Sequence, residues 1–99
     1  MGSYDIPGVA TKKDVECTFV NAKYIGILQL VSGDMTYALP RASLSQGKFI
    51  IFKKTDANTT TVTVDGYGSE TIDGQTTITI TEQYEVARLY CNGLAWYIF

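Results

Sequence analysis

Residues 84–99 read YEVARLYCNGLAWYIF, and the fold follows from how this stretch is read. Two runs of alternating side chains, YEVARLYC and LAWYIF, flank Asn92-Gly93, the strongest short signal for a two-residue type I′ hairpin turn. A turn on those two residues would oppose Cys91 to Leu94, Leu89 to Trp96 and Ala87 to Ile98 on one face. The other face would pair Tyr90 with Ala95, Arg88 with Tyr97 and Val86 with Phe99. The first face has the composition of a core, with Trp96 as its largest anchor. The second is too aromatic for an ordinary solvated face.

The same period of two recurs upstream. TTITIT (residues 76–81) points Ile78 and Ile80 inward, and TTVTVD (60–65) sets Val62 and Val64 against threonines. KFIIFKK (48–54) is apolar on both faces, with Phe49 and Ile51 opposed to Ile50 and Phe52. YIGILQLV (24–31) is also two-sided, with Ile25, Ile27 and Val31 on one face and Leu28 and Leu30 on the other. A short strand at Thr36-Tyr37-Ala38-Leu39 is stopped by Pro40, and VECTFV (15–20) begins the alternation. Turns are expected at Ser32-Gly33-Asp34, at Asp56-Ala57-Asn58 and at Asp73-Gly74, which follows Ile72 as it re-enters the core. Loops are expected at 41–47 and 66–70. Thirteen threonines and seven tyrosines among 99 residues favour pleated surfaces over helices.

About eight strands at this spacing predict an all-β domain over residues 15–99, a small antiparallel β-sandwich or jelly-roll-like barrel. Residues 1–14 carry Pro7, Gly8 and few apolar side chains, and read as an extended N-terminal arm. One core in a chain of this size hides one face of most strands. The surplus apolar faces therefore need a second cover, and another copy of the chain is the simplest one.

Charge and composition narrow the chemistry. Eight Lys and Arg against ten Asp and Glu give a net charge of −2, the wrong sign for a nucleic-acid partner. With no histidine in the chain, Ser-His-Asp and Cys-His nucleophile pairs and histidine-containing zinc sites are excluded. No run approaches the about 18 apolar residues of a membrane span, and the first residues lack a signal-peptide h-region. The expectation is a soluble chain with no catalytic residues, no cofactor and no metal. Asp65-Gly66 and Asp73-Gly74 read as turn chemistry rather than as a catalytic carboxylate pair, and Asp65, Ser69, Glu70 and Asp73 lack the rhythm of a calcium loop. Cys17 and Cys91 read either as a disulfide or as two buried thiols, the hairpin placing Cys91 on the apolar face. Tyr67, between Gly66 and Gly68, is the candidate for a ligand loop, as a ring that could stack on a sugar or fold back over the core.

From about Ala22 onward the pattern resembles a small β domain of bacteriophage tail-fibre and other virion surface proteins. The residues that carry the resemblance are YIGILQL, then MTYALP with Leu39-Pro40, then Gly47-Lys48 leading into FIIFKKTDANTTTVTVDGYGSETIDG. TTITIT and YEVARLYCNGLAWYIF, with its terminal Trp96-Tyr97-Ile98, complete it. The resemblance implies a non-enzymatic, commonly trimeric module on the virion surface, assembled in the host cytoplasm. Such a module would be a capsid decoration, head-fibre or tail-appendage subunit that contacts other virion proteins. The alternative is the receptor-binding tip of a tail fibre, which would contact a host surface glycan. In the first setting the arm is the attachment segment, with Tyr4, Ile6 and Val9 as its anchors.

Overall fold

The structure is a computed structural model and describes residues 12–14 and 26–99. The strands are β1 (Lys12–Asp14), β2 (Gly26–Val31), β3 (Met35–Ala38), β4 (Phe49–Lys54), β5 (Val62–Asp65), β6 (Thr77–Ile80), β7 (Val86–Cys91) and β8 (Trp96–Ile98), with one 3₁₀ turn at Ala42–Leu44. They form two packed four-stranded sheets, ordered β1-β3-β5-β6 and β2-β4-β7-β8. We call these the threonine sheet and the aromatic sheet, after what each presents outward. The fold is all-β, as the alternation predicts. Lys12–Asp14, inside the stretch expected to be an arm, pairs along Thr36–Ala38. The strand expected over 15–20 lies outside the described residues.

The sheets are mixed rather than purely antiparallel. β1 with β3, β3 with β5, and β2 with β4 run parallel, while β5–β6, β4–β7 and β7–β8 are antiparallel. A period of two records which side chains face inward, but not the direction of the neighbouring strand. Direction is set by the connections, and here the first five strands alternate between the sheets. The turn at Ser32-Gly33-Asp34, with Gly33 at φ 76°, carries the chain across into the opposite sheet instead of back along β2. Asp34 Oδ1 accepts the Thr61 N–H at 2.8 Å, tying this crossing to the later one that enters β5.

Both inner faces fill one core. The aromatic sheet contributes Val31, Ile50, Phe52, Ala87, Leu89, Cys91 and Trp96, and the threonine sheet Tyr37, Val62, Val64 and Ile80. The Tyr37 and Phe52 rings meet across the sheets with centroids 6.0 Å apart. The inward assignments of Val62, Val64, Ile72 and Ile80 hold, and Trp96 is fully buried. Its Nε1 finds no acceptor among the described residues. Cys91 is a free, buried thiol whose Sγ donates to the Ala42 carbonyl at 3.4 Å; burial pushes its pKa up. Cys17 lies outside the described residues.

The last hairpin corrects the expected register. Cys91 pairs with Trp96, Tyr90 with Tyr97 and Leu89 with Ile98, so the turn centres on Gly93-Leu94 instead of Asn92-Gly93. Asn92 explains the shift. Its Oδ1 accepts the N–H groups of Leu94 and Ala95, both at 2.9 Å, which makes it the first residue of the turn. Gly93, at φ 95°, takes the single left-handed position of that turn. Moving the centre by one residue moves every partner by two, so inward and outward faces are kept. Trp96 stays inward, whereas Leu94, expected in the core, sits on the turn and is 80% exposed.

A type I′-like turn does occur, at Asp73-Gly74. Both residues have positive φ, 49° and 85°, and Ile72 and Gln75 exchange backbone hydrogen bonds of 2.6 and 3.0 Å. This turn seals the open side of β8. Trp96 N–H donates to the Thr71 carbonyl and Asp73 N–H to the Trp96 carbonyl, both at 2.9 Å, and Asp73 Oδ1 accepts the Ile98 N–H at 3.1 Å.

Candidate functional site

The outer face of the aromatic sheet is ordered by register into three rows. Phe49 stands beside Tyr90 and Tyr90 beside Tyr97; Leu28 stands beside Ile51 and Ile51 beside Arg88; Leu30 stands beside Lys53 and Lys53 beside Val86. Phe99 N–H donates to the Arg88 carbonyl at 3.0 Å, which continues the middle row. The rings interlock, with Phe49 5.3 Å from Tyr90 and 5.2 Å from Phe99 between centroids. The cations of this face lie over rings: Arg88 is 5.4 Å from the Phe99 centroid, and Lys53 is 5.7 Å from that of Tyr84.

Leu28 and Leu30 are 60% and 63% exposed, Phe99 53%, and Val86, Tyr97 and Tyr84 are exposed as well. The uncovered apolar surface is on the order of 700 Å², from about 150–250 Å² for each large side chain scaled by its exposure. A typical monomer's largest patch is about 300–600 Å², and each partner in a standard protein interface contributes about 800 Å². The face is the size of half an interface.

At the end of the sandwich where β3, β5 and β7 finish, loop 66–70 folds against the 3₁₀ turn. Gly66 is needed there because a Cβ would strike the Glu70 carbonyl oxygen. Glu70 Oε1 accepts the Ala42 N–H at 2.9 Å. Arg41 donates to the Tyr67 hydroxyl at 2.9 Å, with its guanidinium carbon 5.0 Å from the ring centroid. That hydrogen bond, followed by the charge on the Tyr67 oxygen, raises the Arg41 pKa. The exposed Tyr67 thus has one ring face and its hydroxyl engaged by Arg41. The proposed arm anchors Tyr4, Ile6 and Val9 lie outside the described residues.

The opposite end holds a feature that the sequence reading passed over. An open groove of about 400 Å³ runs between the turn at residues 57–61 and the turn at 81–83. Beneath the first turn, Lys54 is fully buried. Its Nζ donates to the carbonyls of Asp56 at 3.0 Å and Asn58 at 3.1 Å, and it faces Asp56 Oδ1 at 2.9 Å as an ion pair. Thr60 Oγ1 donates to the other Asp56 oxygen at 2.8 Å. Lys54 first, then Thr60, hold the Asp56 carboxyl down to about 2. The signal in the sequence was Lys54 itself, an inward position on a strand whose other inward residues are Ile50 and Phe52.

No protein-family model, curated protein or solved structure matches the chain.

Proposed function

We propose that the chain is a non-enzymatic structural subunit of a bacteriophage virion, displayed on the particle surface as a capsid decoration, head-fibre or tail-appendage protein. In this reading it assembles with copies of itself, as a homotrimer, through the outer face of the aromatic sheet. The observation that carries self-assembly is that face: four strands wide, apolar on every strand, and near the area one partner brings to a stable interface. A permanently exposed surface of this kind on an edge strand invites association, so a copy that covers it also protects the chain from aggregation. The phage setting rests on the sequence resemblance, which spans β2 to β8. The residues that precede β1 then attach the assembly to neighbouring virion proteins through Tyr4, Ile6 and Val9.

Multi-angle light scattering on the purified chain tests the assembly, with three chain masses expected and a stable monomer at micromolar concentration counting against it. Immunogold labelling of particles tests the setting. Labelled capsids or tail appendages are expected, and unlabelled particles would overturn it.

A further inference from the structure

We propose that each aromatic outer face in the assembly is covered by a carboxylate-bearing surface of the next copy, and that the faces do not meet one another on a shared axis. This rests on the assembly reading and adds to it what the face binds.

The charges on the face select the occupant. Lys53 and Arg88 project from β4 and β7, the two middle strands of the aromatic sheet, with Lys53 beside Val86 and Arg88 beside Ile51. No Asp or Glu belongs to the rows of this face. Among the described residues neither cation meets a carboxylate; Lys53 lies over the Tyr84 ring and Arg88 over that of Phe99. A ring attracts a cation through its π face but supplies no acceptor as strong as a carboxylate for the N–H groups. Water serves those donors while the face is open. Covering the face removes that water, and a buried cation without an anion costs more than the ring contact returns.

Like faces turned toward a common axis would gather both cations from every chain and no Asp or Glu side chain. The rest of the chain has the opposite sign. Between Gly26 and Phe99, Arg41, Lys48 and Lys54 stand off this face against seven Asp and Glu, and Lys54 is already committed to Asp56. Four of those carboxylates, Asp34, Asp73, Glu82 and Glu85, are exposed. Asp34, Asp73 and Glu85 each bind a backbone N–H of their own chain through one oxygen, on Thr61, Ile98 and Thr81. That bond steadies the carboxylate and leaves its second oxygen for a cation. A contact between unlike surfaces sets opposite charges together, and repeated head to tail it closes into a ring, as a trimer requires.

The test is sedimentation equilibrium on the full chain and its variants. Lys53→Met combined with Arg88→Met keeps both stems, adds apolar area and deletes the charges. It should weaken assembly about tenfold or more, because carboxylates of the next copy lose their partners. Faces in contact with one another would respond with tighter assembly, and that result overturns the proposal. Asp34→Asn, Asp73→Asn, Glu82→Gln and Glu85→Gln, made singly, remove a charge and keep an oxygen for the backbone bonds. At least one should weaken assembly by a similar factor and show little further loss when combined with the two methionines. If none of the four weakens assembly, or if every combination is additive, the proposal falls. It also falls if the wild-type chain prefers a Lys53→Glu, Arg88→Glu chain over itself in a mixture, since only faces in mutual contact gain from that exchange. A wild-type chain that stays monomeric at micromolar concentration defeats the assembly reading and this inference with it. A wild-type trimer with any of the contrary responses defeats this inference alone.

Discussion

The two sheets are built alike and finished differently. Each has four strands and gives its inner face to the same core. The outer face of the threonine sheet aligns Thr36, Thr63 and Thr79 in one row and Asp65 beside Thr77 in the next. The outer face of the aromatic sheet aligns phenylalanine, tyrosine, leucine and isoleucine over the same pleat. Threonine keeps the β-branched shape that strands favour while giving water a hydroxyl, so it satisfies β-propensity without creating a sticky surface. Leu28, Leu30 and Phe99 satisfy the same propensity and leave the apolar surface uncovered. The contrast separates a polar outer face from an apolar one that the proposed assembly would cover, since strand formation alone would be served by either.

The inner faces provide the scale for this comparison. Trp96 is fully buried where the aromatic sheet meets Ile72 and the core. Trp96→Ala should cost about 3–5 kcal/mol, which for a domain near 100 residues lowers the thermal midpoint by roughly 12–40 °C. Trp96→Phe should cost much less, because it keeps most of the ring and removes an indole N–H that has no acceptor among the described residues. Native tryptophan fluorescence that is red-shifted and readily quenched would contradict the buried position.

The next effect separates the faces directly. Leu30→Asp places a charge on the exposed edge strand of the aromatic outer face and should cost the proposed assembly about 2 kcal/mol or more, as loss of an interface anchor does. The monomer's own stability should change by less than about 0.5 kcal/mol, because Leu30 is 63% exposed. Thr63→Asp on the threonine sheet should leave the oligomer intact. If light scattering shows the two substitutions acting alike, the faces do not differ in role.

Much of this contrast was legible in the sequence. The two-sided runs KFIIFKK and YIGILQLV separate Ile50 and Phe52 from Phe49 and Ile51, and Val31 from Leu28 and Leu30, because side-chain alternation in a strand is steric and local; which set faces the core comes from the packing of the two sheets. Strand direction was not legible. It depends on whether a turn such as Ser32-Gly33-Asp34 folds the chain back or sends it across to the other sheet, and local preference serves both. The hairpin register failed for a different reason. Asn92-Gly93 carries the I′ dipeptide, but the Asn92 side chain caps the following amides and shifts the turn by one residue. The groove was illegible because its walls lie at least twenty residues apart and meet through Lys54, whose inward position reads as a solvated end of a strand.

A smaller effect comes from the turn that seals β8 and so gives the aromatic sheet one closed edge. Gly74 sits at φ 85° with open space around its Cα. Gly74→Ala should therefore cost about 1–2 kcal/mol from the left-handed backbone alone, without a clash. Denaturant unfolding measures it, and a loss near 4 kcal/mol would mean that the turn carries more than backbone strain.

Asp56 supplies a pH signature at the far end of both sheets. Its folded-state pKa, about 2, lies below the ordinary value of 3.8. The unfolded chain therefore binds this proton first, and the stabilisation is present above pH 3.8 and lost as the pH falls toward 2. Asp56→Asn should flatten the unfolding midpoint across that window, while the slope at pH 5–7 should not change. An unaltered acid limb in the variant would mean that another carboxylate carries it.

The smallest expected effect is the sharpest test of the threonine face. Thr63 and Thr79 stand opposite each other on β5 and β6, Thr63 half-buried and Thr79 exposed. Replacing both with valine keeps the branched shape and the strand preference and removes two hydroxyls that water can satisfy equally well. The stability change should stay within about 0.5 kcal/mol in either direction. Assembly should also be unchanged at first, because two valines add far less apolar area than an interface needs. Extending the series to Thr36 and Thr77 widens the painted patch across three strands, and self-association should rise only at that stage. A large stability loss from the first pair would show that the threonine hydroxyls brace the sheet. Immediate aggregation would show that this face stands closer to the threshold than its composition implies, and that the polarity of the threonine sheet is itself what keeps assembly on the aromatic one.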